Sequence, residues 1–183
     1  LVSHNGVRIM NELTTRDKAS AAILAQDIKT AFLIFDDKTR AALKQIDGYF
    51  HLHLVYQGNT PEELAAAINV PPAALKETIE RYNGFVKTKD DKDFGRADMP
   101  QEIGTGKYYA IEIAPGVHYT MGGLKINTDA QVINKNGQPI KNFYAAGEVT
   151  GGVHGANRLG GNSISETITF GRIAGDNAYK NAQ

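Results

Sequence analysis

Arg158 stands in a glycine loop, Ala145-Ala-Gly-Glu-Val-Thr-Gly-Gly-Val-His-Gly-Ala-Asn-Arg-Leu-Gly-Gly-Asn-Ser-Ile-Ser-Glu166, that is almost free of other charge. Residues 147–175 hold eight of the nineteen glycines, and their only Asp, Glu, Lys or Arg residues are Glu148, Arg158, Glu166 and Arg172. An unpaired guanidinium in such a place is costly, whereas a carboxylate or phosphate satisfies it through a two-pronged hydrogen-bonded fork. The loop therefore asks for an anionic ligand. His118, in Ala114-Pro-Gly-Val-His-Tyr-Thr-Met-Gly-Gly123, falls between an expected strand and a glycine pair, where imidazole and backbone can meet a substrate. The plain alternatives are a structural histidine and a glycine loop that merely turns a strand into a helix.

Other chemistries are excluded or weakly supported. With no cysteine, the chain has no disulfide, Cys-ligated zinc, iron–sulfur ligation or thiol nucleophile, so redox chemistry needs a bound cofactor. Gly104-Thr-Gly106 lacks the third glycine of a dinucleotide fingerprint, and no phosphate-cradling Gly-Lys-Ser/Thr loop is present. His51 and His53 are expected to alternate on a surface strand, with no acidic residue at metal-motif spacing. Twenty Lys and Arg balance twenty Asp and Glu, leaving no global field for nucleic acid or anionic lipid. No apolar run approaches the ~20 residues of a membrane span, and Leu1–Gly6 does not read as a signal peptide.

The elements that must position these residues can be read in outline. Residues 14–24 read as a helix entered through a threonine cap, and 30–35 as a short buried strand. Thr60-Pro-Glu-Glu sets a cap, a proline at the first helical position and two carboxylates at the positive end of a helix dipole. A second helix is expected over 71–82, with Leu75, Ile79 and Tyr82 on one face, ended by Asn83-Gly84. Residues 87–98 read as a solvated loop and 107–113 as a strand. Residues 123–127 and 130–133 suggest a short strand pair, Asn136-Gly137 a tight turn, and 142–147 a strand running into the glycine loop. Ser163-Ile-Ser-Glu166 fits a capping box opening a helix to about Lys180, whose start could hold an anion or an electron-rich ring edge.

Three segments together resemble the flavoprotein fumarate reductase family, soluble flavocytochrome c type: Asn11-Glu-Leu-Thr-Thr-Arg-Asp17, His118-Tyr-Thr-Met-Gly-Gly123, and the run from Ala145 to Ile164. Succinate dehydrogenases and aspartate oxidases carry related versions of the last run. The resemblance covers nearly the whole chain and implies a mixed α+β and α/β fold within a two-domain FAD enzyme. Residues 1–113 then correspond to most of a helix/strand capping domain, and 114–183 to the carboxyl-terminal strand-loop-helix part of a Rossmann-like FAD-binding domain. The amino-terminal FAD segment would precede Leu1.

The same resemblance implies roles. Arg158 and His118, with backbone at Gly160 and Gly161, correspond to the grip on a dicarboxylate substrate, and Arg16 to the proton donor. Tyr119, Glu148, Ser163 and Ile164 correspond to FAD contacts. Thr120, Met121, Gly122, Glu148 and Thr150 correspond to a sodium site. Reduction of fumarate to succinate is the implied activity, with electrons from a donor protein or a haem c segment outside this chain, in the periplasm. The alternatives are reduction of another conjugated acid, such as urocanate or methacrylate, and a non-catalytic fragment unable to bind FAD alone. For Arg16, the residue-level alternative is an ion pair with Asp17 or a carboxylate clamp.

Overall fold

The computed structural model describes residues 1–182. The chain forms two compact units, residues 1–115 and the part from Gly116 onward. In the first, strands β1 (Ala31–Asp36), β2 (Val55–Gly58) and β3 (Tyr108–Ile113) form an antiparallel sheet with β3 at its centre. Ala31 faces Ile113 across the β1–β3 pair, and Gly58 faces Tyr108 across β2–β3. Against this sheet pack α4 (Pro61–Ala67) and α5 (Pro72–Thr88), burying Leu64, Ala65, Ile68, Val70, Leu75 and Ile79 with Phe32 and Ala110. Removing that apolar surface from water is the main force holding the unit together. A smaller cluster of Phe35, Ile46 and Tyr109 gathers α3 (Ile46–His51), while α1 (Arg16–Leu24) and α2 (Asp37–Ala42) complete the unit.

Capping chemistry explains several element starts. Thr60 accepts a hydrogen bond from Glu63 N–H, and Pro61 occupies the first turn of α4 as its fixed φ favours. Asp36 caps α2 through Thr39 N–H and also accepts from Gly104 N–H and Thr105 N–H at 3.0 and 2.9 Å, tying a distant loop to the sheet. Burial pushes its carboxyl upward, but these backbone donors outweigh burial and leave it lowered. Thr15 occupies the cap position of α1, yet its side chain makes no cap hydrogen bond.

Three expectations for this unit are corrected. Asn83-Gly84 does not end α5, which continues to Thr88 and stops at Lys89 in the left-handed region. Asn83 instead turns its amide to the Ile103 backbone, donating to its carbonyl and accepting from its N–H. The stretch after α5 is not wholly solvated, because Asp91 is buried beside Arg8. His51 ends α3, and His53 lies at φ 54 in the following turn, so neither sits on a strand.

In the second unit, β4 (Leu124–Lys125) pairs in parallel with β7 (Thr150–Gly151), and β5 (Gln131–Ile133) pairs antiparallel with β6 (Pro139–Tyr144). The expected pairing of residues 123–127 with 130–133 reduces to one bridge, Ile126 to Val132. The β4–β7 approach is backbone on backbone: a Cβ at Gly151 would stand 2.6 Å from Gly123 N, so Gly151 has no room for a side chain. Gly137, at φ 80, makes the β5–β6 turn. The chain closes on α6 (Asn162–Asn181), which lies along β6, with Tyr144 donating to the Asn177 carbonyl.

Candidate functional site

Arg158 is buried at 6% exposure despite its charge. Its guanidinium carbon lies 4.7 Å from the centroid of the Tyr119 ring, and Nη1 donates to the Leu159 carbonyl at 3.1 Å. Stacking on an aromatic face suits a delocalised, weakly hydrated cation. The Tyr119 hydroxyl donates to Glu166 Oε2 at 3.1 Å, and the His154 ring meets the Tyr119 ring edge to face. Glu166, also buried, accepts from Gly147 N–H through its other oxygen at 3.1 Å. Burial, then the neighbouring carboxylates of Glu166 and Glu148, hold the Tyr119 phenol above its ordinary pKa. Loop 116–123, the glycine loop and the first turns of α6 thus meet around one aromatic ring.

The capping box is corrected here. Gly161, at φ 85, is the N-cap of α6, and neither Ser163 nor Glu166 closes its first turn. Glu166 instead points inward to Gly147 and Tyr119. Sequence reading missed Glu166 as a site residue, although the argument from a charge-poor loop applies to it as directly as to Arg158. It also missed His154, whose ring has no charged neighbour in sequence to single it out.

The other expected residues of the second unit fall into three groups. His118 is exposed in the loop beside Tyr119. Gly160, Gly161, Ser163 and Ile164 form the entry to α6; Ile164 is 67% exposed, and a Cβ at Gly161 would meet no atom within 4 Å. This open backbone beside exposed apolar Leu159 and Ile164 fits a flat ring system with a polar edge. Glu148 accepts from Thr120 N–H at 3.0 Å through one carboxylate oxygen, and the Thr120 hydroxyl lies 3.1 Å from the carbonyls of both Gly122 and Glu148. Met121, at φ 52, turns the chain between them, while the Thr150 hydroxyl donates to the Gly147 carbonyl.

Arg16 belongs to the other unit, where it is the exposed first residue of α1. The chain leading to it is held firmly. Arg8 clasps Glu12 with two hydrogen bonds of 2.9 Å and approaches Asp91 at 2.8 Å, while Arg96 reaches Glu12 at 3.1 Å. The rings of Tyr82 and Phe94 lie 5.5 and 5.1 Å from the Arg8 guanidinium carbon. Burial raises the Glu12 carboxyl, but the hydrogen-bonded Arg8 guanidinium pulls the other way and leaves it lowered.

Comparison with known proteins gives this arrangement a context. The chain is 52% identical over its full length to a protein of Shewanella frigidimarina named probable fumarate reductase Ifc3, of which it spans 31%. It is 39% identical over 97% of its length to a urocanate reductase of Eggerthella lenta, spanning 30% of that protein. Among solved structures, the open conformation of a flavocytochrome c3 fumarate reductase matches 99% of the chain at a TM-score of 0.83 and 52% identity, with 32% of that structure covered. The chain therefore spans about a third of these relatives, and its mixed helix/strand fold is part of a larger FAD-binding architecture. No described helix is long and apolar enough to cross a membrane. The FAD binding domain family matches residues 1–164, and the chain belongs to that family, with flavoprotein fumarate reductases among its relatives.

Proposed function

We propose that this chain is the carboxyl-terminal part of an FAD-dependent enzyme that reduces fumarate to succinate, with residues 1–113 as its capping domain and 114–183 as the returning part of its flavin domain. The observation carrying this reading is the buried Arg158, stacked on Tyr119 next to an open helix start. Tyr119, Glu148, Ser163 and Ile164 would hold FAD, Glu148 accepting from ribose hydroxyls and the α6 start facing the flavin edge. Bound FAD supplies hydride to one alkene carbon of the substrate.

The chain's own residues do the rest. Arg158 and His118 grip a substrate carboxylate, with backbone at Gly160 and Gly161 completing the cradle. Drawing charge toward that carboxylate makes the conjugated carbon electrophilic. Arg16 protonates the neighbouring carbon, completing the addition of one hydride and one proton. The ordinary pKa of arginine lies above ~12, so the transfer is favourable only to a strongly basic centre, which that carbon becomes as the hydride arrives. A sodium ion would sit among oxygens of Thr120, Met121, Gly122, Glu148 and Thr150. One hydroxyl proton on Thr120 cannot serve both nearby carbonyls, which leaves an acceptor for a cation. Electrons come from a donor protein or, if the enzyme is a flavocytochrome, from a haem-bearing segment, since residues 1–183 hold no cysteine for covalent haem attachment.

The urocanate reductase relative favours a second reading, in which the same clamp holds another conjugated acid. Replacing Arg16 by alanine in the complete flavoprotein tests the leading mechanism. FAD should remain bound and fumarate reduction should vanish; retained turnover reassigns the proton donor.

A further inference from the structure

Glu166 is buried, charged and outside the substrate and flavin roles just assigned. A carboxylate without partners at such a site would be strongly destabilising, so the groups that donate to it define its purpose. One oxygen takes the N–H of Gly147, where the chain leaves the strand region for the glycine loop, with the Thr150 hydroxyl 3.4 Å away. The other takes the hydroxyl proton of Tyr119, with the Thr167 hydroxyl 3.4 Å away. The opposite end of that contact chain is the Arg158 guanidinium on the Tyr119 face. Ring rotation or sliding of Tyr119 would change the surface on which the guanidinium rests.

We infer that Glu166 is a positioning residue for carboxylate binding: by fixing the Tyr119 hydroxyl and Gly147 N–H together, it sets the plane on which Arg158 is presented to the substrate. This rests on the functional reading above. The Glu166 carboxylate touches neither substrate nor flavin in this role. It acts through Tyr119, a ring held at its hydroxyl by Glu166, on its face by Arg158 and at its flank by His154. Preorganisation of this kind lowers the cost of ordering a charged side chain when ligand arrives.

The inference predicts a split in kinetic constants. In the complete flavoprotein, Glu166→Leu removes the acceptor from both the Tyr119 hydroxyl and Gly147 N–H, and Glu166→Asp keeps the charge on a side chain one methylene too short to reach both. Loss of a bond to a charged group should raise KM for fumarate about tenfold, with kcat changed by less than about threefold. The dissociation constant of succinate from the oxidised enzyme, read by calorimetry, should rise in parallel, with FAD content at the wild-type level. Glu166→Gln should restore most of the affinity, since its amide can accept from Gly147 and donate to the Tyr119 oxygen. If Glu166→Leu does not fold, Glu166→Asp and Glu166→Gln decide the matter. Wild-type KM and succinate affinity in Glu166→Leu, or in Glu166→Asp, contradict the inference while leaving fumarate reduction intact. A wild-type enzyme that neither binds succinate nor reduces fumarate contradicts the functional reading itself.

Discussion

Single residues weigh on stability where a wholly or partly buried charge meets a specific partner. Glu12 illustrates the consequence for pH. The Arg8 guanidinium holds its carboxyl below the ~4.3 of an unfolded chain, so it contributes stability above the unfolded value. That contribution is lost as pH falls below the unfolded value, when protonation releases the grip of Arg8. A series of thermal melts should show the wild-type midpoint falling below about pH 4.5, with a shallower fall in Glu12→Gln. Identical slopes would show that Glu12 is not the titrating group. Asp36 is the second such residue: three backbone N–H groups point at one buried carboxylate. Asp36→Ala should cost about 3 kcal/mol in urea unfolding, because donors from Thr39, Gly104 and Thr105 lose their acceptor. Arg158 was legible in the sequence because it is charged where little else is. Its inward stacking on Tyr119 was not, since the ring lies 39 positions earlier and only folding brings the two together.

At the scale of elements, local signals succeeded where backbone chemistry alone decides the outcome. Thr60-Pro61 starts α4 where hydroxyl capping and fixed φ require it, and Thr60→Ala should lower stability by about 1 kcal/mol. An unchanged unfolding midpoint would argue against that cap. Local signals failed where a distant partner overrides them. Asn83-Gly84 reads as a helix stop, but α5 continues because Leu75 and Ile79 anchor its face and Asn83 finds its partner at Ile103. Ser163 and Glu166 have capping-box spacing, yet Glu166 bonds Gly147 and Tyr119 instead. Strand partners were equally hidden, because β4 joins β7 across some 25 residues and no local pattern encodes that parallel pairing. Gly151→Ala tests this pairing: its Cβ would press on Gly123 N, so the variant should lose thermal stability and FAD together in the complete flavoprotein. Retention of both would mean that β4 and β7 can separate without consequence.

Across the whole molecule, the two units differ in how much of their apolar surface they bury. The first encloses a continuous core between sheet and helices. The second leaves Val149, Leu159, Ile164 and Ile168 at 55%, 77%, 67% and 58% exposure. These exposed side chains are where the proposed function puts contacts with FAD and with the rest of the flavin domain. Residues 1–183 produced alone should therefore be colourless, whereas the complete flavoprotein should show flavin absorbance; near-stoichiometric flavin on the short chain would contradict that attribution.

The proposed grip of Arg158 on a small unsaturated dicarboxylate is tested most directly by steady-state reduction in the complete flavoprotein with a reduced dye. Fumarate should be turned over much faster than urocanate, and Arg158→Ala should abolish that turnover while flavin stays bound. Negligible fumarate turnover beside rapid urocanate reduction, or undiminished fumarate reduction in the alanine variant, would contradict the account.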